Sequence, residues 1–301
     1  MASHTRLVMN TVIRTYLRSL TQIENGGTKR EQFVAIYSHY ESISFVFAFF
    51  MNRLSAQWSK SGDAAIKEHL KALSAFGLII YALTMTFASI DWMMSLEPFW
   101  DSSIYGLMVI FGQLLTSLSF SIFILNLMPG LGLGRNWSLR TTPTPFKDLG
   151  ALMLTFIMGW AYLAYFQLLI IWAADIPHEV VWYTNRIQGG WLTVGVLVAV
   201  LQFVLPFGML ITRRVRSNMR LLAALGGTIV LVYLVNLYWQ IIPAFYPGQF
   251  NLSLTDIGLP IGLGGLWVGA FMVALKRRPA LREVEQASLE PKQPEPEHAV
   301  T

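Results

Sequence analysis

The chain has 301 residues, 54% of them hydrophobic and only 13% charged, with a formal net charge of +5 and no cysteine. A soluble domain carries about 25% charged residues, so this composition excludes an ordinary soluble protein and points to an all-α, polytopic transmembrane bundle. It also excludes disulfides, thiolate-held iron–sulfur clusters and c-type haem, and the positive charge, gathered in particular loops, is not a nucleic-acid footprint.

In chain order, residues 1–20 place Met9, Val12, Ile13, Tyr16, Leu17 and Leu20 on one helical face and Arg14 and Arg18 on the other. This is a short amphipathic pattern that can rest on a membrane surface. No signal-peptide layout is present. Residues 42–52, "SISFVFAFFMN", are too short to span alone and read as a partial hydrophobic segment. Spans are then predicted at about 74–96, 103–128, 149–174, 190–212, 219–243 and 257–275, each near 20 residues. Helix is the open-chain form that satisfies its own backbone in lipid. Residues 280–301 are polar and Pro/Glu-rich, as in a disordered tail. The expected organisation is an N-terminal segment over 1–48, a transmembrane domain over 49–279 and the tail over 280–301.

The loops alternate in charge. Arg53, Lys60, Lys67 and Lys71 precede the first span, and Glu97 and Asp101 follow it. Arg135, Arg140 and Lys147 come next, then Asp175 and Glu179 with one basic residue, Arg186. Arg213, Arg214, Arg216 and Arg220 follow, then Asp256 alone, then "KRRP". The positive-inside rule makes the basic loops and the C-terminus cytoplasmic and the acidic loops outward-facing.

Span one carries Ser74, Gly77, Tyr81, Thr84, Ala88, Asp91 and Ser95 at steps of three or four, with Leu78, Ile79, Leu83, Met85, Phe87 and Ile90 between them. One face therefore suits the bundle interior and the other suits lipid. Asp91 lies near the C-terminal, negative end of this helix, which disfavours a carboxylate by about 0.3–1 kcal/mol. Membrane burial adds a nominal cost of about 2.5–3.5 kcal/mol at the bilayer centre, and less near an interface. Asp101, just before span two, is expected to be a helix cap. Further polar positions are Gln113 and Ser117 in span two, Tyr162, Tyr165 and Gln167 in span three, and Tyr233, Asn236 and Gln240 in span five. Gly258, Gly262, Gly265 and Gly269 in span six form small-xxx-small pairs suited to close helix packing. Trp92, Phe99, Trp100, Trp182, Trp191, Trp239 and Phe245 gather at the outer ends as an aromatic belt.

The candidate site is the outer side of the bundle: Tyr81, Thr84, Asp91, Ser95, Glu97, Tyr162, Asp175, Glu179, Asn236, Gln240 and Asp256. A quinol giving up protons needs an acceptor near its hydroxyl, hydrogen-bonding groups and an oily slot. A row of carboxylates can equally carry protons. Both readings stay open. His4, His39, His69, His178 and His298 all lie outside the apolar runs, so no histidine pair can hold a haem between spans. No metal-held or covalent cofactor is expected; quinone or quinol is the candidate ligand.

"FASIDWMMSLEPFWDSSIYGL" (87–107), "GWAYLAYFQLLIIWAADIPHEVVWY" (159–183), "VNLYWQIIPAF" (235–245) and "IGLPIGLGGLWVGAFMVALKRRP" (257–279) resemble the F subunit of alternative complex III, a bacterial quinol:cytochrome c oxidoreductase. That subunit is similar to the polysulfide-reductase membrane anchors. The resemblance runs from about Phe49 to Pro279. It implies a cofactor-free multi-helix subunit in the bacterial inner membrane, beside a second such subunit and near haem and iron–sulfur partners. The family's quinol site is generally placed in the C subunit, which leaves the F subunit as scaffold and candidate proton path. Asp91 of "IDWMMSLEP" and Asp175 of "AADIPHE" match the family's acidic positions. Residues 1–48 fall outside the resemblance, and several N-terminal helices of the family have no counterpart, as in a shortened chain. The expectation is thus a subunit that is not catalytic alone.

The alternative is a transporter or channel subunit. It predicts inverted repeats or broken helices with central charged pairs, and neither is visible in the sequence. An intramembrane enzyme lacks a His/Cys nucleophile set, an HExxH motif or an Asp-rich metal motif.

Overall fold

The computed structural model describes Ile43, Ser61 and residues 46–58, 63–97, 99–128, 144–250 and 252–276. The amphipathic pattern of 1–20 and the tail over 280–301 lie outside these residues. Among the described residues every regular element is helical, and six helices are long and apolar enough to cross a membrane: Ala64–Leu96, Tyr105–Leu127, Phe146–Ala174, Trp191–Ile211, Met219–Ala244 and Leu254–Lys276. These are the six predicted spans. The first starts some ten residues earlier than expected and the third three residues earlier.

The described chain divides into two compact units. The first holds the residues up to Trp92 together with Tyr105–Ile110. Helix α1 covers 46–58, so the partial hydrophobic segment is a short helix. Helix α2, Ala64–Trp92, begins at Asp63, whose carboxylate accepts from the Ala65 N–H at 2.9 Å. Gly77 of α2 sits under the Phe47 ring, where a Cβ would overlap ring atoms, so the missing side chain allows the two helices to approach. The two-faced reading of α2 is seen in most of its burial: Gly77 and Ala88 are buried, Ser74, Tyr81, Thr84 and Asp91 half-buried, and Leu78, Ile79, Leu83, Phe87 and Ile90 exposed, whereas Met85, expected on the oily face, is half-buried. Ser95 departs from the stripe. The helix ends at Trp92, and Ser95 is exposed in the 3₁₀ turn Met94–Leu96 that follows.

The second unit comprises Met93–Ile104 and the residues from Phe111 onward. Helix α3 is Tyr105–Leu127, α4 Thr144–Ala174, α5 Pro177–Ile187, α6 Trp191–Ile211, α7 Met219–Ile241 and α8 Leu254–Lys276. Asp101 does not cap α3. The N-cap position is Ile104, three positions after Asp101, and it makes no side-chain bond. Asn218 caps α7, accepting from Arg220 and Leu221 N–H at 3.0 and 3.3 Å. Leu115, Ile122, Met153, Ile157, Leu210, Leu222, Leu225 and Ile229 form a core drawn from α3, α4, α6 and α7. Lipid tails are as apolar as these side chains, so the gain here is packing rather than escape from water. At Gly226 of α7 a Cβ would lie 2.7 Å from the Ser119 carbonyl of α3, so only glycine allows that approach.

Two features of this unit depart from a plain bundle. Helix α6 contains a π-turn over Val200–Val204, closed by Leu205 N–H donating to Val200 O, and Pro206 follows it. Proline cannot donate to the carbonyl four residues back, that of Gln202, so the ladder must break near this point. Helix α8 has no buried residue, and nothing lies within 4 Å of a Cβ built on Gly258, Gly262, Gly265 or Gly269. The close packing expected at those glycines is absent among the described residues. Among the described residues, α8 meets Phe120 through Trp267 and Phe271, at 5.3 and 5.5 Å between ring centres, and Tyr238 through Asp256, which accepts from it at 3.3 Å.

Candidate functional site

Three connections of the second unit meet at one end of the bundle, and Arg186 ties them together. Arg186 is the one basic residue in an otherwise acidic loop. It sits in the last turn of α5 and is 1% exposed. Its Nη1 donates to Glu97 Oε1 at 2.7 Å and to the Trp182 carbonyl at 2.7 Å. Its Nη2 donates to the Gln240 carbonyl at 2.6 Å. Gln240 O lies in the last turn of α7, where the helix dipole is negative, and Trp182 O lies one turn before Arg186 in α5, so the cation serves one helix end, a carbonyl of its own helix and a carboxylate at once. The guanidinium also lies 3.8 Å over the Trp182 ring. That ring stacks on Trp100 at 4.9 Å and meets Tyr183 and Trp239 edge-on at 4.7 and 5.6 Å. Burial pushes the Tyr183 hydroxyl well above its ordinary value of 10.0, with the Arg186 charge opposing in part.

The same end is closed by the 188–191 and 245–250 connections. Phe250 N–H donates to Gly189 O, Trp191 Nε1 to Gln249 O at 3.0 Å, and Trp239 Nε1 to Trp191 O at 3.1 Å. Gly189 and Gly190 take φ of +58° and +95°, the left-handed region that makes this turn.

Measured against this geometry, the predicted site residues separate. Glu97 and Gln240 come together at Arg186. Glu97 is 13% exposed and ion-paired, so it is not an isolated carboxylate. Asp175 has φ +47° just past the end of α4, and its N–H donates to Ile171 O at 3.1 Å. It is the left-handed residue that stops the helix, an unusual place for a non-glycine that Asp tolerates. Asp256 accepts from Ser253 N–H at 2.9 Å, and its own N–H donates back to Ser253 O at 3.1 Å, a reciprocal cap for α8. Tyr162 is exposed on the surface of α4 and leans on Phe166 at 4.3 Å between ring centres. In the first unit, Thr84 donates back to Ile80 O at 2.8 Å, and Tyr81 and Asp91 are half-buried and partnered.

Glu179 lies in the first turn of α5, where a carboxylate suits the helix dipole. Asp101, His178 and Glu179 bring one ligand atom each within 4.8 Å of one another at the surface. A divalent ion could take that donor set, but exposed acidic groups gather in this way without an ion, and no metal role is assigned.

One feature was missed from the sequence. Gln202 is fully buried in the π-turn, and neither its Oε1 nor its Nε2 has a hydrogen-bond partner among the described residues. Both side-chain polar atoms of Gln167, 2% exposed, are in the same position, as is Nδ2 of Asn236, 2% exposed. Each unpaired buried group costs about 1–3 kcal/mol. The readable signal was a lone amide in "VLVAVLQFVLPFGML" with proline four residues after it. No family model matches the chain, and no curated protein matches it either.

Proposed function

We propose that this multi-span helical membrane protein is a cofactor-free subunit of a respiratory quinol:acceptor oxidoreductase, of the kind the alternative complex III F subunit represents. The observation that carries this reading is a convergence. Glu97 and Trp100, from the 87–107 stretch, Trp182, from the 159–183 stretch, and Gln240, from the 235–245 stretch, meet around Arg186 in one interlocked end of the bundle. Three of the stretches that carry the resemblance thus lie together in space, although up to 89 residues separate the paired groups.

In this reading the Arg186 end faces outward in a bacterial inner membrane, because the loops that meet there are acidic and the opposite loops basic. The C-terminus is then cytoplasmic. The subunit acts as scaffold beside haem and iron–sulfur subunits, and Asp91, Asn236 and Gln240 are its candidates for contact with quinone or protons. It is not catalytic alone. Native purification from the membrane tests the proposal. Co-purification with multihaem and iron–sulfur subunits is expected, and isolation as a lone homo-oligomer, as a transporter or channel would give, sinks it. In the intact complex, Asp91→Asn should lower proton release or quinol turnover while assembly survives. Wild-type turnover and proton release would remove Asp91 from the site.

A further inference from the structure

The buried carboxamides of the second unit go beyond this reading and are independent of any partner subunit. Gln202 and Asn236 lie on helices that pack against each other, since the π-turn touches both α7 and α4. Their register can be followed from Gly195, which faces the Trp239 ring. Seven residues on from Gly195 is Gln202, and three back from Trp239 is Asn236. Each step keeps to the same helical face, so the antiparallel pair carries the two amides to within about one turn of each other. Gln167 lies on the buried stripe of α4, which runs through Met153, Ile157, Trp160, Leu163 and Ile171.

The unpaired atoms include both donors and acceptors: Oε1 and Nε2 of Gln202 and Gln167, and Nδ2 of Asn236. A ligand that only accepts hydrogen bonds cannot satisfy the amide oxygens, and one that only donates cannot satisfy the amide nitrogens. Pro206 has no N–H to give the Gln202 carbonyl, the donor an unbroken α-helix would place there. The small species that both donates and accepts, and that buried polar groups ordinarily hold, is water.

We propose that the π-turn of α6 is an internal hydration site, in which Gln202 and Asn236 bind ordered water inside an otherwise dry membrane bundle, with Gln167 of α4 as a further contact. The wide turn supplies the room and the three amides supply the partners. The core of Leu210, Leu222 and Ile229 presents no polar side chain and stays dry.

Radiolytic hydroxyl-radical labelling of the full chain in lipid nanodiscs, in heavy-oxygen water, tests this. Radicals made from bound water oxidise the side chains beside it. After correction for intrinsic reactivity, Val198 and Tyr233, one turn from Gln202 and Asn236, should be modified several-fold faster than Leu210 and Ile229. The heavy-oxygen label should enter them slowly. The double variant Gln202→Leu/Asn236→Leu should bring the two rates down to that of the dry core. Equal rates in the wild type overturn the proposal without any variant. Labelling that persists in the folded double variant overturns the role of the amides.

Discussion

Two parts of the second unit handle buried polar groups in opposite ways. Around Arg186 the two terminal guanidinium nitrogens are answered: a carboxylate, two backbone carbonyls and a tryptophan face surround them. In the π-turn region both side-chain polar atoms of Gln202 and Gln167, and Nδ2 of Asn236, are buried without protein partners. The first region is a lock whose pieces stabilise it only jointly. The second is costly unless something other than protein completes it. The same residue class, a polar side chain buried in an apolar bundle, therefore signals structure in one place and a ligand in the other. What separates them is the partner list.

The largest effect should come from breaking the lock. Replacing Glu97 with Leu leaves Arg186 buried without its counter-charge. Loss of one partner of a buried pair costs about 3–5 kcal/mol, so the midpoint of denaturant unfolding in detergent should fall sharply. Glu97→Leu combined with Arg186→Met should recover much of the loss, because an apolar replacement of both partners is often neutral. If the double variant is as weak as the single, the pair is not a coupled unit.

The amides should behave otherwise. Gln167→Leu removes unpaired groups instead of a bond, so it should change stability by less than about 1 kcal/mol, or raise it. A loss as large as that of Glu97→Leu would show that Gln167 is bonded within the protein and would erase the contrast between the two regions.

A smaller, pH-dependent effect belongs to Tyr183. Burial raises its folded-state value above the unfolded value of 10.0. The unfolded chain then loses the phenolic proton first as pH rises. Stability is unaffected below about pH 10 and declines above it. In Tyr183→Phe the alkaline part of the stability curve should be flatter. An unchanged curve would mean that Tyr183 is not sealed behind Trp182.

The last prediction leaves stability alone and asks which way the lock faces. The chain has no cysteine, so single introduced cysteines report without background. Ser253→Cys should react with an impermeant maleimide from outside intact cells and Ser217→Cys only after lysis. The reverse pattern would invert the proposed orientation.

The six spans and the lipid face of α2 were legible in the sequence because lipid imposes them locally: each segment must be long, apolar and self-bonded. Helix caps were less legible. Asp101 is the right residue type in nearly the right place, yet α3 starts four residues later at Tyr105. Asp256 read as a lone outer acid and turned out to close a cap with Ser253. The Arg186–Glu97 pair was beyond local reading because 89 residues separate the partners, although a single arginine among acidic loop residues was the clue. Gln202 was passed over because one amide barely lowers the hydrophobicity of its span. Its partnering is a property of packing, which spacing alone does not report.

Helix α8 carries a mechanical consequence. It touches the rest of its unit through an aromatic contact midway along, Phe120 against Trp267 and Phe271, and a hydrogen bond at one end, Tyr238 to Asp256. Two contacts along one edge fix the tilt and rotation of a rod only as firmly as those side chains hold, and its far end, at Lys276, is held by neither point. Among the described residues no residue of α8 is buried, so its orientation is set by side-chain contacts rather than by a packed face. Trp267 sits in one of those contacts, so a change in its packing would loosen α8 at that point.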